Sequence, residues 1–328
     1  MRLLVTGGAG FIGSNFVRHA LRTDDGVRIT NLDALTYAGS LTSLHDLEDH
    51  PRHRFVHGDI CDAALVDELM ADADALVHFA AESHVDRSID GPAAFLRTNV
   101  DGAGVVFDAA RRHELQRVLH ISTDEVYGSI DEGSFDEGDP LLPNSPYATS
   151  KAAADLLARS YRVTYDFPIM VTRTTNNFGP YHFPEKMIPL FVTNLIDGRK
   201  VPLYGDGANV RDWTHVHDNV EAQWRVLTEG APGAVYNVGA GNERSNRDLT
   251  LALLGRFGLG EEMIEHVPDR PGHDRRYSVD SARIRALGWR PRHDLDEALD
   301  DTIRWYRDNE WWWRPLIDAG AGERRGRA

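Results

Sequence analysis

The sequence is poor in cysteine, in basic charge and in long apolar runs. Its 328 residues include one cysteine, Cys61, so no disulfide forms within the chain and a reducing compartment is its natural environment. Lys and Arg number 36 against 51 Asp and Glu, which gives a net charge of −15. Because an acidic chain repels phosphate backbones, nucleic acid is excluded as a partner, and any anionic ligand requires a local basic cluster.

The apolar runs of this chain are short. None approaches the ~20 residues that a membrane-spanning helix needs, and MRLLVTGG leads directly into a strand pattern with no charged and apolar leader before it. We therefore expect a cytoplasmic protein that has no membrane partner. The tail GERRGRA has nothing to bury and is expected to fray.

Six apolar runs recur along the first half of the chain, and segments with helical spacing lie between most of them. The runs are RLLVT, VRITNLD, HRFVHGD, ALVHFAA, RVLHIST and IMVTRTTN. Strand alternating with helix predicts an α/β fold with a doubly wound, parallel Rossmann sheet. The later sequence is rich in Pro, Gly, His and Arg, which is typical of loops that contact ligands.

We therefore predict two domains. Residues 1–179 form a dinucleotide-binding Rossmann domain. Residues 180–328 mainly form a smaller C-terminal domain that binds the substrate, and some of its segments return to the first domain.

A glycine-rich turn, TGGAGFIG, stands between the first strand pattern and an apolar-faced helix. Glycines at positions such as Gly7, Gly10 and Gly13 permit a tight turn and leave a pyrophosphate on the helix N-terminus. Asp33 ends the second strand pattern, where a carboxylate accepts hydrogen bonds from ribose hydroxyls and repels a 2′-phosphate. The pattern therefore predicts NAD rather than NADP. A capping Asp in a loop is the competing interpretation, and the glycines weigh against it.

Two segments carry the candidate catalytic groups. In STDEVYG, Thr123, Asp124 and Glu125 follow a buried strand pattern, although two acids in such a place also read as a simple cap. In NSPYATSK, Tyr147 and Lys151 are four residues apart and share one helical face. A phenol has a pKa of about 10, and a neighbouring ammonium favours the phenolate. We therefore expect Lys151 to lower the pKa of Tyr147 and make it a proton acceptor.

These segments together resemble the extended short-chain dehydrogenase/reductases and, within them, the dTDP-glucose 4,6-dehydratases. The resemblance runs nearly end to end, through TGGAGFIGSNF, LDALTYAG, FAAESHVDRSI, STDEVYG, SPYATSKAAAD, NNFGPYHFPEKMIPL, YGDGANVRDW and RPGHDRRY. It implies a homodimer that converts dTDP-glucose to dTDP-4-keto-6-deoxyglucose and water with bound NAD. One stretch departs from the family: RTTNNFG replaces the common RCSNNYG, and we expect a tuned pocket with an unchanged reaction.

The resemblance implies a role for each catalytic residue. Tyr147 takes the O4 proton while C4 is oxidised, and Thr123 hydrogen-bonds O4. The new ketone makes the C5 hydrogen removable, so Glu125 acts as general base and a protonated Asp124 donates to the departing C6 hydroxyl. Two neighbouring carboxyls with different tasks need pKa values that are pushed apart, and burial beside a like charge does this.

The resemblance also implies sets of ligand contacts. The expected cofactor residues are Gly7, Gly10, Phe11, Ile12, Gly13, Asp33, Leu35, Thr36, Asp59, Ile60, Ala80, Ala81, Ser83, Thr98, Tyr147, Lys151 and Asn177. The expected substrate residues are Ser83, His84, Thr123, Asn176, Glu185, Lys186, Leu190, Pro202, Tyr204, Arg211, Asn246, Arg270, His273 and Tyr277. Arginines suit bidentate phosphate recognition, although each one alone also reads as a surface charge or a salt bridge.

A nucleotide-sugar 4-epimerase of the same fold is the main alternative. It would share the glycine turn, Asp33, Thr123, Tyr147 and Lys151, but it has no use for an acid–base pair. A nucleotide-sugar decarboxylase or a GDP-mannose dehydratase usually keeps the Glu and has Ser in place of Asp124, so Asp124 is the discriminating residue. A non-catalytic NAD-binding regulatory protein is a third alternative. Such proteins tend to lose the Tyr or the Lys, and both are present.

Two further patterns invite a binding interpretation. His215 and His217 are two residues apart, but no third ligand follows at a telling spacing, so no metal is predicted. Three consecutive tryptophans begin at Trp311. We expect them to pack a terminal helix against the domain rather than to stack on a ligand.

Overall fold

The computed structural model describes residues 1–318, and the predicted fraying of GERRGRA lies outside them. The strands are β1 Arg2–Thr6, β2 Arg28–Asp33, β3 His53–His57, β4 Ala75–His78, β5 Arg117–Thr123, β6 Ile169–Thr174, β7 Asn176–Phe178, β8 Val201–Tyr204, β9 Val210–His215, β10 Val235–Val238, β11 Glu243–Ser245 and β12 Ile264–Val267. The α-helices are α1 Phe11–Thr23, α2 Ala63–Ala71, α3 Val85–Asp90, α4 Pro92–Leu96, α5 Ala103–Arg112, α6 Pro146–Tyr165, α7 Met187–Ile196, α8 Val216–Glu229, α9 Asn246–Arg256, α10 Ala282–Ala286, α11 Leu295–Asp308 and α12 Glu310–Asp318. Short 3₁₀ segments span Leu41–Leu47, Asp124–Tyr127 and Glu261–Met263, and a π-helical segment spans Arg97–Gly102.

A seven-stranded parallel sheet forms the main layer, in the order β10-β6-β5-β4-β1-β2-β3. Its strands β1 to β6 are the six apolar runs of the first half of the chain. Helices α1 and α8 pack on one face and α2, α5 and α6 on the other, because each offers an apolar stripe to the sheet. The predicted doubly wound α/β fold is confirmed. The strand order reverses beside β1, and ligands of such sheets bind at that switch point.

A second core forms from the later part of the chain. It combines α7, α9, α11 and α12 with residues of β7, β8 and β9. Strand β10 and helix α8 also follow residue 179, yet they belong to the large sheet and its helical layer. The chain therefore crosses between the two cores more than once, while the domain boundary near residue 179 stays a prediction.

The tryptophan run packs as expected. Trp312 and Trp313 are buried in the second core, whereas Trp311 keeps 47% of its surface exposed. The indole N–H of Trp313 donates to the carbonyl of Tyr306, and that of Trp312 donates to Ser43 Oγ. Across residues 1–318, every helix is too short or too polar to cross a membrane.

Candidate active site

A cleft with a volume of about 480 Å³ lies at the carboxyl ends of the central strands. The glycine turn forms its floor. Gly7 has a φ of +76°, and a Cβ on Gly13 would lie 2.2 Å from the carbonyl oxygen of Gly7, so no other residue fits there. Gly10 caps α1 without a side-chain hydrogen bond, which leaves the first N–H groups of α1 free for an anion.

Asp33 is fixed at the rim of this turn by two backbone amides. Its Oδ2 accepts from the N–H of Ala9 and its Oδ1 from that of Leu35, both at 2.8 Å. Each oxygen keeps a further lone pair, which suits a diol. Burial raises the pKa of Asp33, while the two amides act in the opposite direction. Leu35 itself is not among the residues that line the cleft, so it contributes through its amide rather than its side chain.

The other expected cofactor residues all line the cleft. They are Gly7, Gly10, Phe11, Ile12, Gly13, Asp33, Thr36, Asp59, Ile60, Ala80, Ala81, Ser83, Thr98, Tyr147, Lys151 and Asn177. Sequence reasoning missed Tyr37, Arg97 and Phe183, which line it as well. Arg97 forms an ion pair with Asp59 at 2.8 Å. The two residues are 38 positions apart, so no local sequence motif predicts this contact.

Thr123 ends β5, and the two acids form the 3₁₀ turn that follows. The Thr123 hydroxyl accepts from the N–H of Glu125 at 3.3 Å and donates to Asp124 Oδ1 at 3.2 Å. Thr123 is therefore the residue that caps this turn. The alternative interpretation, in which the two acids only cap the turn, is wrong. Asp124 is buried, and its Oδ2 has no hydrogen-bond partner within the described part of the chain.

Different charges face the two carboxyls. Burial raises the pKa of Asp124 well above its usual range, and the charge of Glu125 raises it further. Burial also raises the pKa of Glu125, but Arg270, Lys186 and Arg211 oppose that rise. The surroundings thus raise the pKa of Asp124 more strongly than that of Glu125, so Asp124 keeps its proton more readily than Glu125 does.

Helix α6 positions the Tyr–Lys pair. It begins at Pro146, and the Ser145 side chain caps it by accepting from the N–H of Ala148 at 3.1 Å. Lys151 is buried and its Nζ donates to the carbonyl of Ile121 at 2.6 Å. Burial lowers the pKa of Lys151 to about 8.

The expected depression of the Tyr147 pKa is wrong for this structure. Burial raises that pKa well above 10, and the charges of Glu125 and Asp124 raise it further. A hydrogen bond with Thr123 acts in the opposite direction. Burial and the two nearby carboxyls therefore outweigh the hydrogen bond with Thr123, while the Lys151 ammonium is engaged with the carbonyl of Ile121.

Polar residues of the expected substrate set form the outer wall of the cleft. Ser83, Asn176, Glu185 and Lys186 line it, together with Thr123. Lys186 Nζ donates to the carbonyl of Ser83 at 3.0 Å. An ion pair at 3.0 Å joins Glu185 to Arg87, which sequence reasoning did not select. His84, the N-cap of α3, lies outside the cleft lining with its Nε2 3.9 Å from Glu185 Oε1.

A second polar cluster adjoins this wall and also lies outside the cleft lining. Tyr204 donates to Asp86 Oδ2 at 3.2 Å, and Arg270 lies 3.5 Å from Asp86 Oδ1. The Arg211 guanidinium stacks over the ring of Tyr277 at 4.2 Å. Because Arg211 and Arg270 both affect the pKa of Glu125, this cluster borders the catalytic turn.

The remaining expected substrate residues are dispersed. His273 pairs with Asp269 at 2.6 Å beside the Tyr204 ring. Leu190 packs against the second core, Pro202 lies in β8, and Asn246 is buried at the start of α9. The structure does not bring these three into the cleft lining.

The departure from the family pattern has a structural role. Thr174 Oγ1 donates to Asn219 Oδ1 at 2.9 Å and accepts from Nδ2 of Asn177 at 3.0 Å. Asn177 Nδ2 also donates to the carbonyl of Thr175 at 2.8 Å. Both threonines line the cleft, so this pair orients Asn177 and leaves its Oδ1 without a partner among residues 1–318.

A glycine turn at a helix N-terminus, an acid after β2 and a Tyr–Lys pair beside a strand-end Thr occur here in one cleft. That combination defines the class of extended short-chain dehydrogenase/reductases. The family model described as GDP-mannose 4,6 dehydratase matches residues 4–302.

Individual relatives are similar over the whole chain. A dTDP-glucose 4,6-dehydratase of Streptomyces antibioticus is 56% identical, and the match covers 98% of this chain and 97% of the relative. The crystal structure of DesIV, a dTDP-glucose 4,6-dehydratase from Streptomyces venezuelae solved with NAD, has a TM-score of 0.94 and 52% identity. The match covers 96% of this chain and 100% of DesIV. The structure of a UDP-glucose 4-epimerase from Thermus thermophilus has a TM-score of 0.86 and 30% identity. The match covers 94% of this chain and 100% of the epimerase. This chain therefore belongs to the GDP-mannose 4,6 dehydratase family and, within it, to the dTDP-glucose 4,6-dehydratases.

Proposed function

We propose that the protein is a dTDP-glucose 4,6-dehydratase, an NAD-dependent hydro-lyase that yields dTDP-4-keto-6-deoxyglucose and water. The observation that carries this proposal is the adjacent pair Asp124 and Glu125. Burial raises both pKa values, but Glu125 raises that of Asp124 further while three cations restrain that of Glu125, which suits an acid and a base. An elimination needs both at once, since one group removes the C5 proton while another protonates the leaving hydroxyl.

The residues of the cleft fit NAD. The N-terminus of α1 offers N–H groups to a pyrophosphate, and Asp33 offers lone pairs to a ribose diol. Two related dehydratases, DesIV and a protein from Bacillus anthracis, are described in complexes with NAD. When it is bound, NAD supplies an acceptor for hydride from C4 and a donor of hydride to C6.

The side chains of this chain supply the proton transfers. In the complex with NAD, Tyr147 would act as the phenolate, which the positive charge of the nicotinamide would favour, and accept the O4 proton. Thr123, which hydrogen-bonds Tyr147, holds O4 as C4 becomes a ketone. The proton that Tyr147 gains equals the one that Asp124 gives up, so its transfer through solvent resets both groups. Glu125 then removes the C5 proton, because the ketone stabilises the charge left behind. Asp124 protonates the C6 hydroxyl, which leaves as water, and Glu125 returns its proton to C5. The partnerless Oδ2 of Asp124 suits contact with that hydroxyl.

The site also supplies the positive charge that a nucleotide sugar requires. Arg211, Arg270 and Lys186 act together on Glu125 and stand beside the cleft of an otherwise acidic chain. Arginine binds diphosphate oxygens in a bidentate manner. We assign them to the diphosphate, and Tyr204, which is partly exposed beside Arg270, to the thymine ring.

The same fold also occurs in 4-epimerases, whose reaction begins with the same oxidation of C4. An epimerase only oxidises C4 and reduces it from the other face, which uses Tyr147 and Thr123 but neither carboxyl. Burying two adjacent carboxyls costs stability, which a chain without an elimination to perform has no reason to retain. We therefore favour the dehydratase.

The test is to incubate the purified protein with dTDP-glucose without added NAD and to follow the product by mass spectrometry and proton NMR. We expect the loss of one water and a new C6 methyl signal. An unchanged mass with signals of dTDP-galactose would establish the epimerase instead. The matched control is Glu125→Gln, which preserves size and hydrogen bonding and should give no product.

We further propose that the protein is a cytoplasmic homodimer. Its single cysteine provides no disulfide, which supports a reducing compartment. Helix α6 exposes 56% of Leu156 and 69% of Val163, which lie two turns apart on one face. Leu96 in α4 and Ile89 in α3 extend this exposed apolar surface, since both short helices pack against α6. A second copy of the chain would cover it.

A further inference from the structure

Three histidines converge outside the cleft. His215 ends β9, His217 lies in the first turn of α8, and His293 lies just before α11. One ring nitrogen from each lies within 4.8 Å of the other two. The sequence showed only the first pair, because the third histidine follows at no telling spacing. His293 is distant in sequence, and only the fold brings it to the other two.

Asp218 fixes the third histidine. Its two carboxylate oxygens accept from the backbone N–H groups of Arg292 and His293, each at 3.1 Å. The Nδ1 of His293 lies 2.8 Å from Asp218 Oδ1. With the proton on Nδ1, Nε2 keeps its lone pair for a ligand. A carboxylate behind an imidazole in this way is the usual support of a metal-binding histidine.

The other two histidines differ in mobility. His215 is buried and its ring packs edge-on against Phe178, with centroids 5.4 Å apart. His217 is exposed, and its ring centroid lies 4.8 Å from that of His215. The His293 ring lies 4.1 Å from the His215 ring. The His217 ring is therefore the adjustable one, whereas His215 is held by its packing and by the His217 N–H that its Nδ1 accepts at 3.4 Å, and His293 by Asp218.

We propose that His215, His217 and His293 bind one divalent transition-metal ion such as Zn²⁺. Three imidazoles suit zinc, nickel or copper rather than magnesium or calcium, which prefer oxygen. Bonds of about 2.1 Å in tetrahedral geometry place the nitrogens about 3.4 Å apart. Rotation of the accessible His217 ring, together with small shifts of the other two rings, provides the contraction from 4.8 Å. Water takes the fourth position on the exposed side.

The ion would join the two cores of the molecule. His217 belongs to α8, which packs on the large sheet, and His293 leads into α11 of the second core. None of the three lines the cleft, so the ion has a structural role and takes no part in the reaction. The positive end of α8 and the nearby Arg22 oppose a cation. We therefore expect a dissociation constant on the order of micromolar, far weaker than that of dedicated zinc domains.

The experiment titrates the NAD-bound, full-length protein, first stripped with a chelator, with ZnSO₄ against a chromophoric zinc indicator. The test variants are His217→Gln and His293→Gln, whose side chains are accessible and leave the core intact. The control variant is His45→Gln, an exposed histidine of the 3₁₀ segment Leu41–Leu47. Thermal unfolding of each protein is measured with and without zinc, because a ligand that binds only the folded state raises the unfolding midpoint.

We expect one zinc per chain in the wild type and in His45→Gln, with a midpoint that rises by a few degrees. In His217→Gln and His293→Gln, binding weakens at least about tenfold and the rise in midpoint disappears. Co²⁺ in place of zinc should give the visible absorption of a four-coordinate site in the wild type and in His45→Gln, and in neither test variant. No binding at about 100 μM zinc, or binding that both variants retain, would overturn the proposal. Neither outcome bears on the dehydratase.

Discussion

At the scale of single residues, Asp124 and Glu125 are neighbours in the chain but face different charges. Glu125 has three cations around it, whereas the largest charge acting on Asp124 is Glu125 itself. Ionising Glu125 therefore makes Asp124 harder to ionise. The two groups form one coupled unit whose states complement each other, as an acid and a base in one step require.

Separate substitutions should divide the elimination into its two proton transfers. Asp124→Asn removes the general acid, so product formation should fall about 10²- to 10⁴-fold. Deuterium from D₂O should still enter C5 of the recovered sugar, because Glu125 and the ketone remain. Glu125→Gln should lose both product and C5 exchange. NMR of substrate recovered from D₂O measures this, and loss of exchange in Asp124→Asn would contradict the assigned roles.

The cations around Glu125 should set the acid limb of the pH profile. Glu125 acts as a base only when ionised, so activity falls as the pH drops through its raised pKa. Arg270→Ala removes the cation that lowers this pKa most, so the pKa rises and the acid limb of kcat moves to higher pH. kcat at saturating substrate is the measure, since diphosphate binding also changes. Arg275→Ala, which removes an exposed pair with Asp206, should leave the limb in place.

At the scale of elements, α6 joins the catalytic pair to a buried ion pair. Asp155 lies one turn after Lys151 on the same face and helps to keep the Lys151 ammonium charged. Its Oδ2 accepts from Arg173 Nε at 2.8 Å, and Arg173 also donates to the Tyr127 hydroxyl at 2.7 Å. Tyr127 in turn donates to Asn237 of β10 at 2.8 Å. This buried chain of contacts connects the helix to β6 and β10 of the large sheet.

Breaking that pair should destabilise the protein strongly. Asp155→Asn leaves Arg173 charged and unpaired in the core, at a cost of about 3–5 kcal/mol. We expect a drop of several degrees in the unfolding midpoint by calorimetry. Asp301→Asn in α11 removes a pair with Arg304 that is mostly exposed, and its midpoint should change by less than about 1 °C. Equal losses in the two variants would show that the buried pair contributes no more than a surface pair.

The sequence could predict the parts of the site that are local. β1, the glycine turn and α1 are consecutive, so their spacing alone predicted a phosphate site. Tyr147 and Lys151 share one helix for the same reason. The direction of the Tyr147 pKa was not predictable, because it depends on burial and on carboxyls from another element. Contacts between distant segments, such as that of His293 with His215, could not be predicted either, because residue spacing shows only local neighbours.

At the scale of the whole molecule, the exposed surface of α6 should decide assembly. Val163→Glu places a charge where a second copy would pack, so a dimer should separate into monomers. Sedimentation velocity measures the change, with Lys200→Glu, a charge reversal at an exposed position outside α6, as the control. A wild-type monomer, or a Val163→Glu dimer of unchanged stability, would contradict the proposed interface.

The burial of Lys151 and the position of Lys186 at the cleft wall have a practical consequence. The chain has three lysines, and Lys200 is the exposed one. Amine-reactive cross-linkers, fluorophores and immobilisation resins would therefore find one accessible lysine, Lys200, on the protein surface. Acylation also reaches the exposed N-terminal amine of Met1, so a loss of activity that substrate prevents would be the part that reports on the catalytic cleft. Attachment to a support would need carboxylate coupling or an added tag.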